Sequence, residues 1–161
     1  MRFSNVSACL KIKTEHKQAL GAIDCQRKEN DMNTQKFLVV DDSLTMRRII
    51  RNALRSIGFE NVREAANGQL AQQVMLEEGA DFLVLDWNMP VMSGVELAKW
   101  VRGNNFFRNI PVLMITTKSS TDDIMVALGA EVDDYIIKPF TPQGLKEKIE
   151  KINATRVAKS A

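Results

Sequence analysis

From Lys36 to the last residue the chain contains no cysteine and no histidine; Cys9, Cys25 and His16 all fall within the first 35 positions. That absence excludes a Cys/His zinc centre, a thiol nucleophile and a histidine-based triad from the body of the chain. Carboxylates, hydroxyls, lysine and a hard metal ion are the chemistry left to it. No apolar run approaches the roughly 20 residues needed to span a bilayer, so no membrane association is expected. An excess of one charge is missing too. Residues 1–35 carry six Lys/Arg against four Asp/Glu, and residues 36–161 carry sixteen against sixteen. A neutral body argues against binding to a nucleic-acid backbone. A body that can form no disulfide suits the cytoplasm. In the opening MRFSNVSACL, Ser4, Asn5 and Ser7 interrupt any signal-peptide core.

The 161 residues have room for one domain with a full core. Residues 1–35 hold no motif and are read as an N-terminal extension outside the fold, disordered or non-native, with Met32 as an alternative start. A single domain is expected over 36–154, followed by a tail over 155–161. Within the domain, short apolar runs alternate with amphipathic stretches. The runs Phe37–Val40, Phe82–Leu85, Val112–Ile115 and Tyr135–Ile137, and a weaker one beginning at Val62, are continuously apolar. Such runs suit strands buried on both faces of a parallel sheet.

The intervening stretches carry helix signals. Ser43 can cap a helix whose Ile49, Ile50, Ala53, Leu54 and Ile57 share one face, stopped by Gly58. Ser93 with Glu96 forms a capping box. Thr121, Asp122 and Asp123 suit the positive end of a helix that stops near Gly129. Thr141-Pro142 opens a last helix with Leu145, Ile149 and Ile152 facing inward. Five β–α repeats define an α/β fold, a doubly wound five-stranded parallel sheet in the flavodoxin-like order 2-1-3-4-5.

In such sheets the site lies beyond the carboxyl ends of the strands. Here those ends carry Asp41-Asp42, Asp86, Thr116 and Lys138-Pro139. Singly, each has an ordinary explanation: helix cap, turn residue or solvated loop lysine. The fold, however, brings all of them to one rim. Three crowded carboxylates repel one another and call for protonation or a cation. All-oxygen ligation suits Mg²⁺, or Mn²⁺ in its place. A lysine and a hydroxyl on the same rim can receive phosphoryl oxygens. An aspartate can serve as the nucleophile, giving an acyl phosphate.

The segments VVDDS, LDWNMPVMSG, PVLMITT and DDYIIKPFTP, in this order and at this spacing, resemble the response-regulator receiver domains of two-component systems, most closely those of the CheY type that act in chemotaxis. The likeness covers about residues 36–152. It implies a stand-alone signalling protein rather than an enzyme, phosphorylated on Asp86 by a histidine kinase and acting on a downstream target such as the flagellar motor switch. It further implies that Asp42 and Asp86 bind Mg²⁺ directly, Asp41 through a water, and Asn88 through its backbone carbonyl. Lys138 would hold the phosphoryl group, with the Lys138-Pro139 bond cis. Thr116 and Tyr135 resemble the family's switch pair. Trp87, beside Asp86, reads as a rim aromatic and an optical reporter, whereas Trp100 is expected on the inner face of the third helix. Lys118 departs from the acidic or polar residue common at its position. Because this position and Asn88 tune hydrolysis in the family, the departure bears on phosphoryl lifetime.

With no effector domain, the signal must leave through a surface, and the switch pair points to one that includes Tyr135 and Lys148. A monomer is expected. Other readings predict different sequences. A haloacid-dehalogenase-type phosphatase needs its two aspartates one residue apart, and here Ser43 stands at the second place. A phosphate-independent binding module would have a broken site. A phosphate sink or relay carrier shares the fold and would differ in its docking surface.

Overall fold

The computed structural model describes residues 34–117 and 129–160. Gln35–Ala161 form one compact unit. Its strands are β1 (Phe37–Val40), β2 (Val62–Ala65), β3 (Phe82–Asp86), β4 (Val112–Thr116) and β5 (Asp134–Ile137). They pair in parallel in the order β2-β1-β3-β4-β5. The order expected from the repeat pattern is therefore the order observed. β1, β3 and β4 are buried along their whole length. The outer strands are not: β2 buries only Ala65, and β5 only Ile136, with Ile137 exposed. The expectation of two buried faces fails for Tyr135–Ile137 because β5 has a neighbour on one side alone.

The helices are α1 (Leu44–Ser56), α2 (Gly68–Glu78), α3 (Gly94–Gly103) and α4 (Pro142–Ser160). Among the described residues, α1 packs beside α4, and α2 beside α3. Between β1 and α1, the Ser43 hydroxyl accepts from the Met46 amide at 3.4 Å. A cap of this kind contributes about 1 kcal/mol. Ile50, Ala53 and Leu54 face the core, but Ile49 is 48% exposed, so the apolar face of α1 is narrower than its sequence suggests. α2 starts at Asn67, whose side chain accepts from Leu70 N, and stops at Gly79, which has φ of 74°. The Ser93–Glu96 capping box is formed in full. Thr141 Oγ1 accepts from Gly144 N at the start of α4, and Leu145, Ile149 and Ile152 are buried. The fourth helix expected from Thr121 to Gly129 lies in part outside the described residues.

The core beneath α1 and α4 is centred on Phe37, whose ring lies 4.4 Å from Phe59 and 4.9 Å from Phe82. On the other face, Leu38, Val40, Leu83 and Leu85 meet Ala71, Met75, Leu97 and Val101. Trp100 packs on this cluster and against Phe107, 5.6 Å away, as expected of an inner-face residue.

The C-terminal helix continues through Ser160, so residues 155–160 of the stretch read as a tail are helical. Arg156 lies in this extension. It donates to Asp133 at 2.8 Å and to the Asn109 and Ile110 carbonyls. Asp133 also accepts from Arg102 at 2.9 Å. The extension is thereby held to the loops that precede β4 and β5.

Candidate functional site

The parallel register brings the ends of β1, β3 and β4 to one edge, and the loops that follow supply the site. Asp41 succeeds β1 and is 1% exposed; Asp86 closes β3 at 8%; Thr116 closes β4 at 4%. Asp42 is exposed beside Asp41. Carboxylate oxygens of Asp41, Asp42 and Asp86 all lie within 4.8 Å of one another. Opposed oxygens on an octahedral Mg²⁺ with bonds of about 2.1 Å stand roughly 4.2 Å apart. Adjacent oxygens on the same ion stand only roughly 3.0 Å apart, so a bound cation would draw these carboxylates closer together; the all-oxygen donor set suits Mg²⁺.

Lys138 enters from the far side of the sheet. Its ammonium lies 2.6 Å from Asp86 Oδ1 and 3.2 Å from Asp41 Oδ2. Its amide donates to the Thr116 carbonyl at 2.8 Å, anchoring the start of the cis Lys138-Pro139 turn to the end of β4. Burial opposes the ammonium charge, but the hydrogen bond and attraction of Asp86, reinforced by Asp41, outweigh it and hold the Lys138 pKa above the usual range. Burial also lifts the Asp86 carboxyl, and Lys138 offsets only part of that rise. Both directions describe a desolvated ion pair whose cation is firmly charged.

Each carboxylate is also oriented by backbone. Asp86 Oδ2 accepts from the Asn88 amide at 3.1 Å, and Asp41 Oδ1 from the Ser43 amide at 2.8 Å. Gly94 closes the site from below. A Cβ on it would stand 2.1 Å from the Asp86 carbonyl oxygen, so only glycine lets α3 approach β3 this closely. Trp87, expected at the rim, is instead 8% exposed, because it packs into the core cluster that also holds Leu85, Leu97 and Met114.

Tyr135 lies in β5 opposite Met114, two positions before the Thr116–Ile137 pair. Lys148, read as a contact residue on the exposed side of the last helix, has a side chain 32% exposed. Its ammonium lies 2.7 Å from Asp134 and 5.4 Å from the centre of the Tyr135 ring. Asp134 also binds Lys151 at 2.9 Å. The structure thus gathers Asp41, Asp42, Asp86 and Lys138 into one cluster with the Asn88 amide, and puts Tyr135 and Lys148 together on an adjoining face. Lys118 lies outside the described residues. Sequence reading had passed over Gly94, Arg47, Glu64 and Asp134. Of these, Gly94 inside the LDWNMPVMSG segment and Asp134 inside DDYIIKPFTP stood within segments that carried a visible signal, whereas Arg47 and Glu64 did not.

Comparison with known proteins identifies the class. Residues 37–150 match the response regulator receiver domain, and the chain belongs to that family. Among its relatives, the chemotaxis protein CheY1 of Helicobacter pylori is 52% identical over 122 residues, covering 74% of this chain and 98% of that protein. The chemotaxis protein CheY of Pseudomonas aeruginosa is 50% identical over 117 residues, covering 73% and 94%. Among solved structures, chemotaxis protein CheY4 of Vibrio cholerae superposes with a TM-score of 0.69 at 32% identity, covering 73% of this chain and 98% of that one. The chain is a CheY-like receiver, a signalling protein and not a conventional enzyme. Among the described residues no helix is long and apolar enough to cross a membrane.

Proposed function

We propose that Asp86 accepts a phosphoryl group from a histidine kinase, and that the modified domain changes its affinity for a flagellar motor switch protein in the cytoplasm. The observation that carries the reading is the single cluster of Asp86, Lys138 and the acidic pair, with an ammonium 2.6 Å from the nucleophile. A carboxylate oxygen of Asp86 attacks phosphorus. The bond from phosphorus to the donor breaks, and a mixed anhydride forms on the side chain. A bound Mg²⁺ supplies positive charge that screens the carboxylates and the transferring oxygens. Asp42 and Asp86 would hold it directly, Asp41 through a water and Asn88 through its carbonyl. The Asn88 amide keeps the Asp86 carboxyl plane fixed during attack. Once the aspartate charge moves out onto phosphoryl oxygens, Lys138 follows it by a small displacement, since it already contacts the carboxylate.

Thr116 and Tyr135 convert the new charge into a surface change. The threonine is drawn toward the phosphoryl oxygens, and the ring of Tyr135 turns into the space released, taking one of two packed positions. Tyr135 contacts Lys148, so the rearrangement reaches the face formed by β5 and α4. The preference for chemotaxis over a relay or sink rests on Tyr135 and on the CheY relatives.

The test is a binding cycle. A motor-switch-derived peptide should bind the beryllofluoride-treated domain about 5- to 30-fold tighter than the untreated one, a coupling of about 1–2 kcal/mol. Tyr135→Ala should reduce that coupling and leave Mg²⁺ affinity unchanged. Equal affinity in both states, with activation shifts gathered on α1, would favour a relay carrier.

A further inference from the structure

We infer that Arg47 is a positioning residue for the acidic loop: it grips the backbone of Asp41-Asp42 and so sets the aim of the metal-binding carboxylates. The inference rests on the proposal that those carboxylates hold a divalent cation.

The observation is an arginine doing an unusual job in an unfavourable place. Arg47 lies in the first turns of α1, where no acidic residue is present and the helix dipole disfavours a cation. Helix energetics do not explain it. Its Nη1 instead donates to the Asp41 carbonyl at 2.7 Å and to the Asp42 carbonyl at 3.3 Å. Its Nε donates to Glu64 at 3.2 Å, and the side chain is only 13% exposed. Glu64 is fixed in its turn. It belongs to β2, opposite Val39 of β1, and its other oxygen accepts from Arg51 at 2.7 Å. The chain Arg51–Glu64–Arg47 thus anchors two successive peptide carbonyls of the loop to the sheet edge.

Two carbonyls held by one guanidinium fix the peptide planes on either side of Asp42. Asp42 needs that help more than its neighbours. Asp41 and Asp86 are buried and tied by Lys138, whereas Asp42 is exposed. A ligand on a free backbone would lose rotational freedom on binding metal, and the clamp removes that loss in advance. Groups that orient ligands in this way typically govern 10- to 100-fold in metal affinity.

The sign of the effect separates this role from simple charge. Removing a cation from beside an acidic metal site should tighten Mg²⁺ binding if only electrostatics matter. Removing a clamp should weaken it. The experiment is a titration of the full chain with Mg²⁺ alone, read by fluorescence. Trp87 adjoins Asp86 and serves as the reporter.

Arg47→Met, which keeps the apolar stem and loses the donors, should weaken Mg²⁺ binding about 10-fold or more. Arg51→Met removes the other arginine from Glu64 but touches no loop carbonyl, and should stay within about 2-fold of wild type. Arg47→Lys keeps the charge without the fork, and should fall between. Equal or tighter binding by Arg47→Met overturns the inference, as does an equal loss in Arg51→Met. Should Arg47→Met fail to fold by circular dichroism, Arg47→Lys decides, and unchanged affinity there overturns it. Asp42→Asn separates the two levels of argument. Loss of the Mg²⁺ response in Asp42→Asn leaves the metal site standing whatever Arg47 does. A wild-type response that persists in Asp42→Asn, or is missing from wild type, removes the metal site and this inference with it.

Discussion

Replacing Gly94 by alanine adds one methyl group, and the structure assigns it a large cost. The new Cβ would stand 2.1 Å from the Asp86 carbonyl oxygen and 3.2 Å from Met114 Sδ. The nearer atom belongs to the main chain of β3, a strand buried along its whole length, so no side-chain rotation relieves the overlap. Restoring contact distance requires a shift of about 1 Å between α3 and the end of β3. Overpacking of this kind costs about 1–3 kcal/mol, and a backbone partner puts it near 3. With a urea dependence of about 2 kcal/mol/M, the unfolding midpoint should fall by about 1.5 M. The displaced segment carries Asp86 itself. A misplacement of about 1 Å at a reacting atom costs up to about 100-fold in rate, so labelling by a small phosphodonor should slow by about 10- to 100-fold. Gly103→Ala is the control. It ends the same helix, a Cβ there meets nothing within 4 Å, and alanine should be neutral or gain up to about 0.5 kcal/mol. Urea melts of both variants, with acetyl phosphate kinetics on each, measure the two effects. Gly94→Ala within about 0.5 kcal/mol of wild type would refute the close-approach argument.

Two further outcomes follow from particular side chains. Val91 has φ of 70° and is 76% exposed, so a β-branched residue is strained there without packing in return. Val91→Asn should stabilise the domain by about 1 kcal/mol in urea melts, and a loss would count against strain at this position. At Asp134 burial alone would raise the carboxyl pKa, but hydrogen bonds from Lys148 and Lys151 outweigh it and hold the group below its usual value. A depressed carboxyl stabilises the fold above its ordinary pKa of 3.8, and the contribution is lost as pH falls through the folded value. Asp134→Asn should therefore cost about 1 kcal/mol at pH 7, with the gap to wild type closing in acid. A gap that widens below pH 4 would show the sign to be wrong.

The fold was legible in the sequence because a parallel sheet buries its central strands on both sides. Phe37–Val40 and Phe82–Leu85 therefore spell themselves as unbroken apolar runs. The strand order was legible because five β–α repeats admit few topologies. The cluster of Asp41, Asp42, Asp86 and Lys138 was legible for a related reason: strand ends converge, whatever the loops do. Features that depend on distance across the sequence left no such mark. Arg47 and Glu64 lie 17 residues apart, and the two arginines on Asp133 come from α3 and from the far end of α4. Ile49 matched the helical period and still faces solvent, because periodicity shows the direction of a face and not its width. The bond between Lys148 and Asp134 left no mark either, because the carboxylate sits 14 residues earlier on another element. The helical course of residues 155–160 follows from similar long-range pairing, through Arg156.

Everything proposed about signalling depends on Asp86 being the phosphoryl acceptor. The direct measurement is intact-mass analysis after incubation with acetyl phosphate and Mg²⁺, followed by mapping of the modified peptide. Wild type should gain a single phosphoryl group, located on Asp86 and removed by hydroxylamine as an acyl phosphate is. Asp86→Asn should gain none, and chelation of Mg²⁺ should prevent labelling of wild type. Undiminished labelling of Asp86→Asn, or a stable modification mapped to a hydroxyl residue, would contradict the account.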